Sequence, residues 1–281
     1  MKIGVSAFAW TGTFTEAHLG LLPGLREHGI EAFEIPMFDP ALLPAAHIRH
    51  AFQANAVECT VCAILPEGIN PISPDPSVRR TSAAHLVRCI QTASACGASL
   101  IGGPLYAPIG YLPARRRSAD EWSWAIEAFQ HLGEHLDRYG IDLALEPVNR
   151  SETFFLTTAA EAKAFCEAIG HPRIGLTIDT FHANIEEKNT AYAILSTGDR
   201  LKHLHLSEND RGLLGSGHVD FHSILQSARA IGYSGYLMIE GFGYSTQEPL
   251  APGALWASLE VSPGDIALNG ASFLRSLLST L

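Results

Sequence analysis

Short apolar or β-rich runs alternate with helix-length amphipathic segments along the chain, and this alternation constrains the fold more than any other feature. The runs are KIGVSAF, IEAFEIP, VECTVCAIL, SLIGGPL, IDLALE, IGLTID, LKHLHLS and YLMIE, eight in all. No series of hairpin signals joins them. Each gap is long enough for a helix, and several gaps carry start and stop chemistry. Ser118-Ala-Asp-Glu121 and Thr158-Ala-Ala-Glu161 show the capping-box pattern ahead of apolar periodicity. Gly29, Gly97, Gly140, Gly170 and Gly232 stand where a C′ glycine would close a helix before the next strand. Strand–helix alternation of this kind implies parallel βαβ units. Eight units in 281 residues predict a single (β/α)8 TIM barrel over residues 1–281. An open doubly wound sheet is the alternative, but no GxGxxG follows the first strand.

Composition narrows the function. The chain has 19 basic and 29 acidic side chains, a net charge of −10, and so no general attraction for a polyanion. Nucleic acid is not an expected partner. No stretch approaches 18 uninterrupted apolar residues, so no membrane span is expected. MKIGVSAFAW has neither the apolar region nor the cleavage site of a signal peptide. Five scattered cysteines (Cys59, Cys62, Cys89, Cys96, Cys166) suit a reducing cytoplasm. Cys59 and Cys62 form a CxxC, but in a strand-like run positions three apart face opposite ways, which argues against a redox or zinc role.

In a barrel the chemistry gathers at the C-terminal ends of the strands. Four consecutive runs end in metal-ligand types: Glu146 after IDLAL, Asp179 after IGLTI, His205 in LKHLHL and Glu240 after YLMI. Their separations of 33, 26 and 35 residues are each about one βα unit, which sets all four at one height. If the three carboxylates point inward, strand parity sends Ala144, Thr177 and Met238 inward one layer below. Three carboxylates and an imidazole suit a hard ion such as Mn²⁺, Mg²⁺ or Co²⁺. The third and fourth runs end without ligands (Ala63, Ile64; Gly103, Pro104), so one ion is expected. Glu152, His182 and Arg211 lie in the loops beside three of these ligands, as equipment for gripping a polyhydroxylated substrate. His203 shares the parity of His205 and reads as a paired core histidine. Arg115, Arg116 and Arg117 read as a solvated loop, with a phosphate grip or subunit contact as the alternative. The long irregular segment 241–263 reads as an active-site rim or subunit contact.

LEPVNRSE, GLTIDTFHANIEE, HLHLSENDR and MIE together resemble the motifs of the D-tagatose 3-epimerase / D-psicose (allulose) 3-epimerase family, ketose epimerases on a xylose-isomerase-like barrel. The motifs span about residues 100–245. The resemblance implies a divalent ion, Mn²⁺ foremost, on Glu146, Asp179, His205 and Glu240. It makes Glu146 and Glu240 the two catalytic acid/bases, and Glu152, His182 and Arg211 the holders of the substrate's O1 and O2 end. The substrate would be a free ketose of the D-tagatose, D-fructose, D-psicose or L-ribulose type, and the assembly a cytoplasmic homodimer or homotetramer. A C3 proton lies α to the C2 carbonyl, so one carboxylate can remove it and a second can return one to the other face. EGFGYS departs from the family's pattern at the eighth run. Phe8, Trp10 and Tyr106 are candidate apolar walls for the far end of the sugar, with core packing as the alternative. An aldose–ketose or hydroxypyruvate-type isomerase on the same barrel is the competing activity. A repair endonuclease would need further histidine ligands on the third and fourth runs, which are absent. A non-catalytic sugar-binding module is a third reading.

Overall fold

The structure, a computed structural model, describes residues 1–242 and 261–281. Most of the segment 241–263 therefore lies outside the described residues. All eight runs are strands: β1 (Lys2–Ser6), β2 (Ala32–Met37), β3 (Glu58–Ala63), β4 (Leu100–Gly103), β5 (Asp142–Leu145), β6 (Ile174–Asp179), β7 (Leu201–Leu206) and β8 (Tyr236–Ile239). They pair in parallel in sequence order, and β1 closes on β8 with Lys2 opposite Tyr236 and Val5 opposite Ile239. The expected (β/α)8 barrel is the observed one.

Helices cover the outside because each has one apolar stripe to bury. The helix Phe221–Ala230 buries Phe221, Ile224, Leu225 and Ala228, spaced as one face of a 3.6-residue repeat. The longest, Pro76–Cys96, starts at an Asp75 cap with proline at its first position and ends at Gly97. Gly97 has φ +87°, a left-handed conformation that glycine adopts without strain. All five glycines expected at such ends have positive φ. Ser118 and Glu121 form the full capping box. Thr158 makes only half of one: its side chain accepts from Glu161 N, while the Glu161 carboxylate turns to Thr157 N and Arg117.

Inside the barrel the layer below the mouth is small or uncharged, with one exception. Ala144, Thr177 and Met238 are buried, as parity requires. Gly4 leaves space that Met238 fills, and a Cβ on Gly4 would lie 2.7 Å from its Cε. The exception is Glu34 on β2, which is fully buried beside His203.

One irregularity sets the register at the mouth. β6 and β7 pair as Leu176 with Leu201, then shift by one so that Thr177 meets His203 and Asp179 meets His205. The extra residue, Lys202, leans outward to the Asp142 carboxylate at 3.0 Å. Gly175 permits the shift, because a Cβ there would sit 2.3 Å from Arg200 O. Without the bulge Asp179 would stand opposite Leu204. Among the described residues no helix is long and apolar enough to cross a membrane.

Candidate active site

Four strand ends bring the expected ligands together. Glu146 leaves β5, Asp179 ends β6, His205 sits on β7 and Glu240 follows β8. All four are buried. His205 Nδ1 lies 3.5 Å from Glu146 Oε1 and 3.6 Å from Glu240 Oε1. One ligand atom each from Glu146, Asp179 and His205 falls within 4.8 Å of the others. Both ring nitrogens of His205 are buried without a hydrogen-bond partner among the described residues, Nε2 lying 2.9 Å from Glu34 Oε1 and Nδ1 facing the mouth. A bare buried nitrogen facing two carboxylates is costly unless a cation or proton lies between them. The donor set therefore fits a divalent ion.

Arg211 braces the outer oxygens of this cluster. Its Nη1 donates to Asp179 Oδ2 and to Glu240 Oε2, both at 2.6 Å, and to Ser207 Oγ at 2.8 Å. Its guanidinium lies over the rings of Phe181 and Phe242, 4.0 and 4.7 Å from their centroids. The backbone of Arg211 is left-handed, φ +62°, a conformation held by its loop. At the centre of that loop is the buried Glu208 carboxylate, which accepts from the backbone N–H groups of Asn209, Val219 and Gly215. Gly217 lets this carboxylate approach, since a Cβ there would lie 2.6 Å from it.

His182 and Glu152 share one holder. Asn149 donates its backbone N–H and its side-chain amide to His182 Nδ1, at 3.2 and 2.9 Å, and the same amide reaches Glu152 Oε1 at 2.8 Å. Nδ1 of His182 thus accepts, which leaves Nε2 to carry the proton, 3.3 Å from Arg211 Nη2. Two further carboxylates of the same motif are architectural. Glu186 binds Arg150 bidentately, at 2.9 and 3.0 Å, and Glu187 accepts from Ala159 N at 2.7 Å.

Electrostatics separates Asp179 from Glu240 and His182 from His205. Burial would raise Asp179, but Arg211, His182 and His205 outweigh it and hold its carboxyl at about 2. Burial pushes Glu240 up to about 8, with Asp179 and Glu146 adding to it against the pull of His205 and Arg211. Burial likewise lowers His182 and keeps its ring neutral. Burial opposes charge on His205, yet Glu34, Glu240 and Glu146 together raise it well above the usual imidazole range. The site asks for positive charge.

A cavity opens above these groups. Its polar lining is Glu146, Glu152, His182, Arg211 and Glu240; its apolar lining includes Phe8, Cys62, Ile64, Ile109 and Phe242. Phe8 stacks on Phe242 with centroids 5.2 Å apart. Cys62 faces inward beside the four acids, whereas Cys59 lies near Cys96, so the CxxC is divided between two faces. All five cysteines are free.

Two expectations need correction. Tyr106 does not line the cavity. It is fully buried on Phe155, and its hydroxyl donates to Glu146 O at 2.9 Å and Leu156 O at 3.1 Å. A tyrosine at the end of a buried strand meets unpaired carbonyls there, and they claim its hydroxyl. Trp10 packs edge-on against Phe33 and is not part of the lining either. Arg115 and Arg117 are committed to Glu121 and Glu161, at 2.7 and 2.9 Å, and neither faces the cavity. Sequence reasoning missed Glu34, Asn149 and Glu208. Glu34 carried a readable signal, a lone carboxylate inside the apolar run AFEIPM.

The closed parallel barrel carries at its C-terminal mouth a carboxylate–imidazole cluster that could hold a metal ion, the place where enzymes of this fold keep their active sites. The match to the xylose isomerase-like TIM barrel family model covers residues 24–277. A ketose 3-epimerase of Arthrobacter globiformis is 29% identical over 285 residues, covering 100% of this chain and 98% of that protein. A D-psicose 3-epimerase of Ruminiclostridium cellulolyticum is 33% identical over 247 residues, covering 86% and 84%. The crystal structure of D-allulose 3-epimerase from Methylomonas sp. in complex with D-allulose superposes with a TM-score of 0.92 at 28% identity, covering 98% and 96%. The chain belongs to the xylose isomerase-like TIM barrel family and, within it, to the sugar 3-epimerases.

Proposed function

We propose that the protein is a metal-dependent ketose 3-epimerase that inverts C3 of free ketoses, with Glu146 and Glu240 as its two proton-transfer groups. One observation carries the reading. Two carboxylates from strands three apart in the barrel reach the same imidazole nitrogen, at 3.5 and 3.6 Å, and face one cavity. Inversion needs two such groups, because a single base would return the proton to the face it came from.

Glu146, Asp179, His205 and Glu240 would hold one divalent ion, Mn²⁺ foremost, with Mg²⁺ or Co²⁺ as alternatives. When bound, it supplies Lewis-acid stabilisation of the negative charge that develops on the sugar oxygens. Glu146 removes the C3 proton, which the adjacent C2 carbonyl acidifies. Glu240 returns a proton to the other face of the enediolate, and the roles exchange in the reverse direction. His182, through its Nε2–H, and Arg211 orient the O1 and O2 end, and Glu152 accepts a substrate hydroxyl. Phe8, Phe242 and Ile64 exclude water from the C4 to C6 end. Among the described residues lining the cavity Arg211 is the one permanent cation, and its Nη1 is taken by two carboxylates, so a phosphate ester would meet an acid-rich site. That favours unphosphorylated sugars. The same reading takes the assembly to be a cytoplasmic homodimer or homotetramer, which analytical ultracentrifugation checks.

The test is incubation with D-fructose, D-tagatose, D-psicose and L-ribulose in D₂O, with Mn²⁺ or with EDTA. The expected result is the C3 epimer with deuterium at C3, abolished by EDTA. An aldose product with deuterium at C2, and exchange at C1 of the recovered ketose, would identify an aldose–ketose isomerase instead.

A further inference from the structure

We propose that Glu34 is the positioning residue that makes His205 a metal ligand. Its carboxylate hydrogen-bonds His203 Nε2 and stands against His205 Nε2, which favours the ring proton on that nitrogen and leaves His205 Nδ1 as a lone pair aimed at Glu146 and Glu240. This rests on the reading of His205 as a ligand.

The geometry is a carboxylate shared between two rings. Glu34 Oε2 hydrogen-bonds His203 Nε2 at 2.9 Å, and Oε1 lies 2.9 Å from His205 Nε2, a close ion-pair contact off the direction of a hydrogen bond. Thr60 Oγ1 donates to Oε2 at 3.2 Å. All three ionisable side chains are fully buried, and the two rings meet edge to face with centroids 4.8 Å apart. A neutral imidazole has one N–H, and an ionised carboxylate only accepts. With an ion bound His205 is neutral, and because two acceptors do not approach to 2.9 Å in a buried site, the nitrogen of each ring beside Glu34 carries its proton. For His205 the consequence is functional: the other nitrogen, Nδ1, is left unprotonated and faces the two mouth carboxylates at 3.5 and 3.6 Å. A carboxylate behind a ligating histidine fixes ring orientation and raises ligand basicity, and its loss typically costs 10- to 100-fold in metal affinity.

A carboxylate inside an apolar strand is expensive to bury unless it is paired, and Glu34 is paired through His203 and Thr60 on one oxygen and faces His205 with the other. A glutamine would not replace it. Its amide offers one oxygen and one NH₂, so one of the two rings would have to move its proton to Nδ1.

The experiment measures Mn²⁺ affinity by isothermal titration calorimetry on folded wild type, Glu34→Gln and Glu34→Met. Nitrogen-15 ring spectra of the Mg²⁺-loaded proteins accompany it. The expected result is an affinity weaker by about 10- to 100-fold in both variants, more in Glu34→Met. Wild type should show both rings protonated at Nε2, and Glu34→Gln should show one ring changed. Affinities within twofold of wild type would overturn the proposal while leaving the metal reading intact. If neither variant folds, the wild-type spectrum decides: His205 protonated at Nδ1 with metal bound would overturn it. A wild type that binds no divalent ion would remove the metal reading and this proposal together.

Discussion

The two halves of the barrel mouth are built from different materials. From β5 round to β8 the strand ends carry Glu146, Asp179, His205 and Glu240, braced by Arg211. From β1 to β4 the cavity is bounded by Phe8, Cys62, Ile64 and Pro104. The charged half is held from behind, by Glu34 under His205, Asn149 under His182 and Glu208 under the Arg211 loop. The apolar half is held by stacking, as with Phe8 on Phe242. Groups that move protons need fixed partners, because every buried charge must be paired. A wall that excludes water needs only shape. We therefore expect substitutions in the charged half to strike turnover, and those in the apolar half to change which sugar is preferred.

The largest effect should come from Glu146→Gln and Glu240→Gln, made singly. Each should lower kcat by about 10²- to 10⁴-fold with little change in KM, the usual contribution of a positioned acid or base. Steady-state kinetics on the best ketose measures this, and a variant keeping full turnover would remove that carboxylate from the mechanism. Next, Arg211→Met leaves the Asp179 and Glu240 carboxylates without their shared partner. It should destabilise the fold by about 3–5 kcal/mol, the scale for breaking a buried pair from one side, read by urea unfolding. In the apolar half, Phe8→Ala and Ile64→Ala should shift the ratio of kcat/KM between ketohexoses and ketopentoses by about 10- to 200-fold, the scale of small changes in an apolar pocket. If instead they abolish turnover on every ketose, the division of labour between the halves is wrong. The smallest effect is expected behind the site. Tyr106→Phe loses the hydroxyl that holds Glu146 O and should cost about 1 kcal/mol in stability, with turnover reduced only several-fold.

Legibility in the sequence followed the range of the interaction. The eight strands were readable because burial imposes a local period on each run, and their order alone implies parallel closure. Strand-end position made Glu146, Asp179, His205 and Glu240 visible as a set at one height. Tyr106 was misplaced because its partners, the carbonyls of Glu146 and Leu156, lie 40 and 50 residues further along the chain. Asn149 and Glu208 went unnoticed because polar loop residues usually face water, and only contacts show that these two organise loops.

The sequence by itself determined the barrel, the mouth that carries the chemistry and the four residues at its strand ends, since each depends on periodicity within one segment. The tertiary structure alone decided how those residues meet. The bulge between β6 and β7 brings Asp179 level with His205. Closure of the barrel sets Glu34 against His203, 169 residues away. Such contacts depend on register and closure between distant segments, and no local pattern records them.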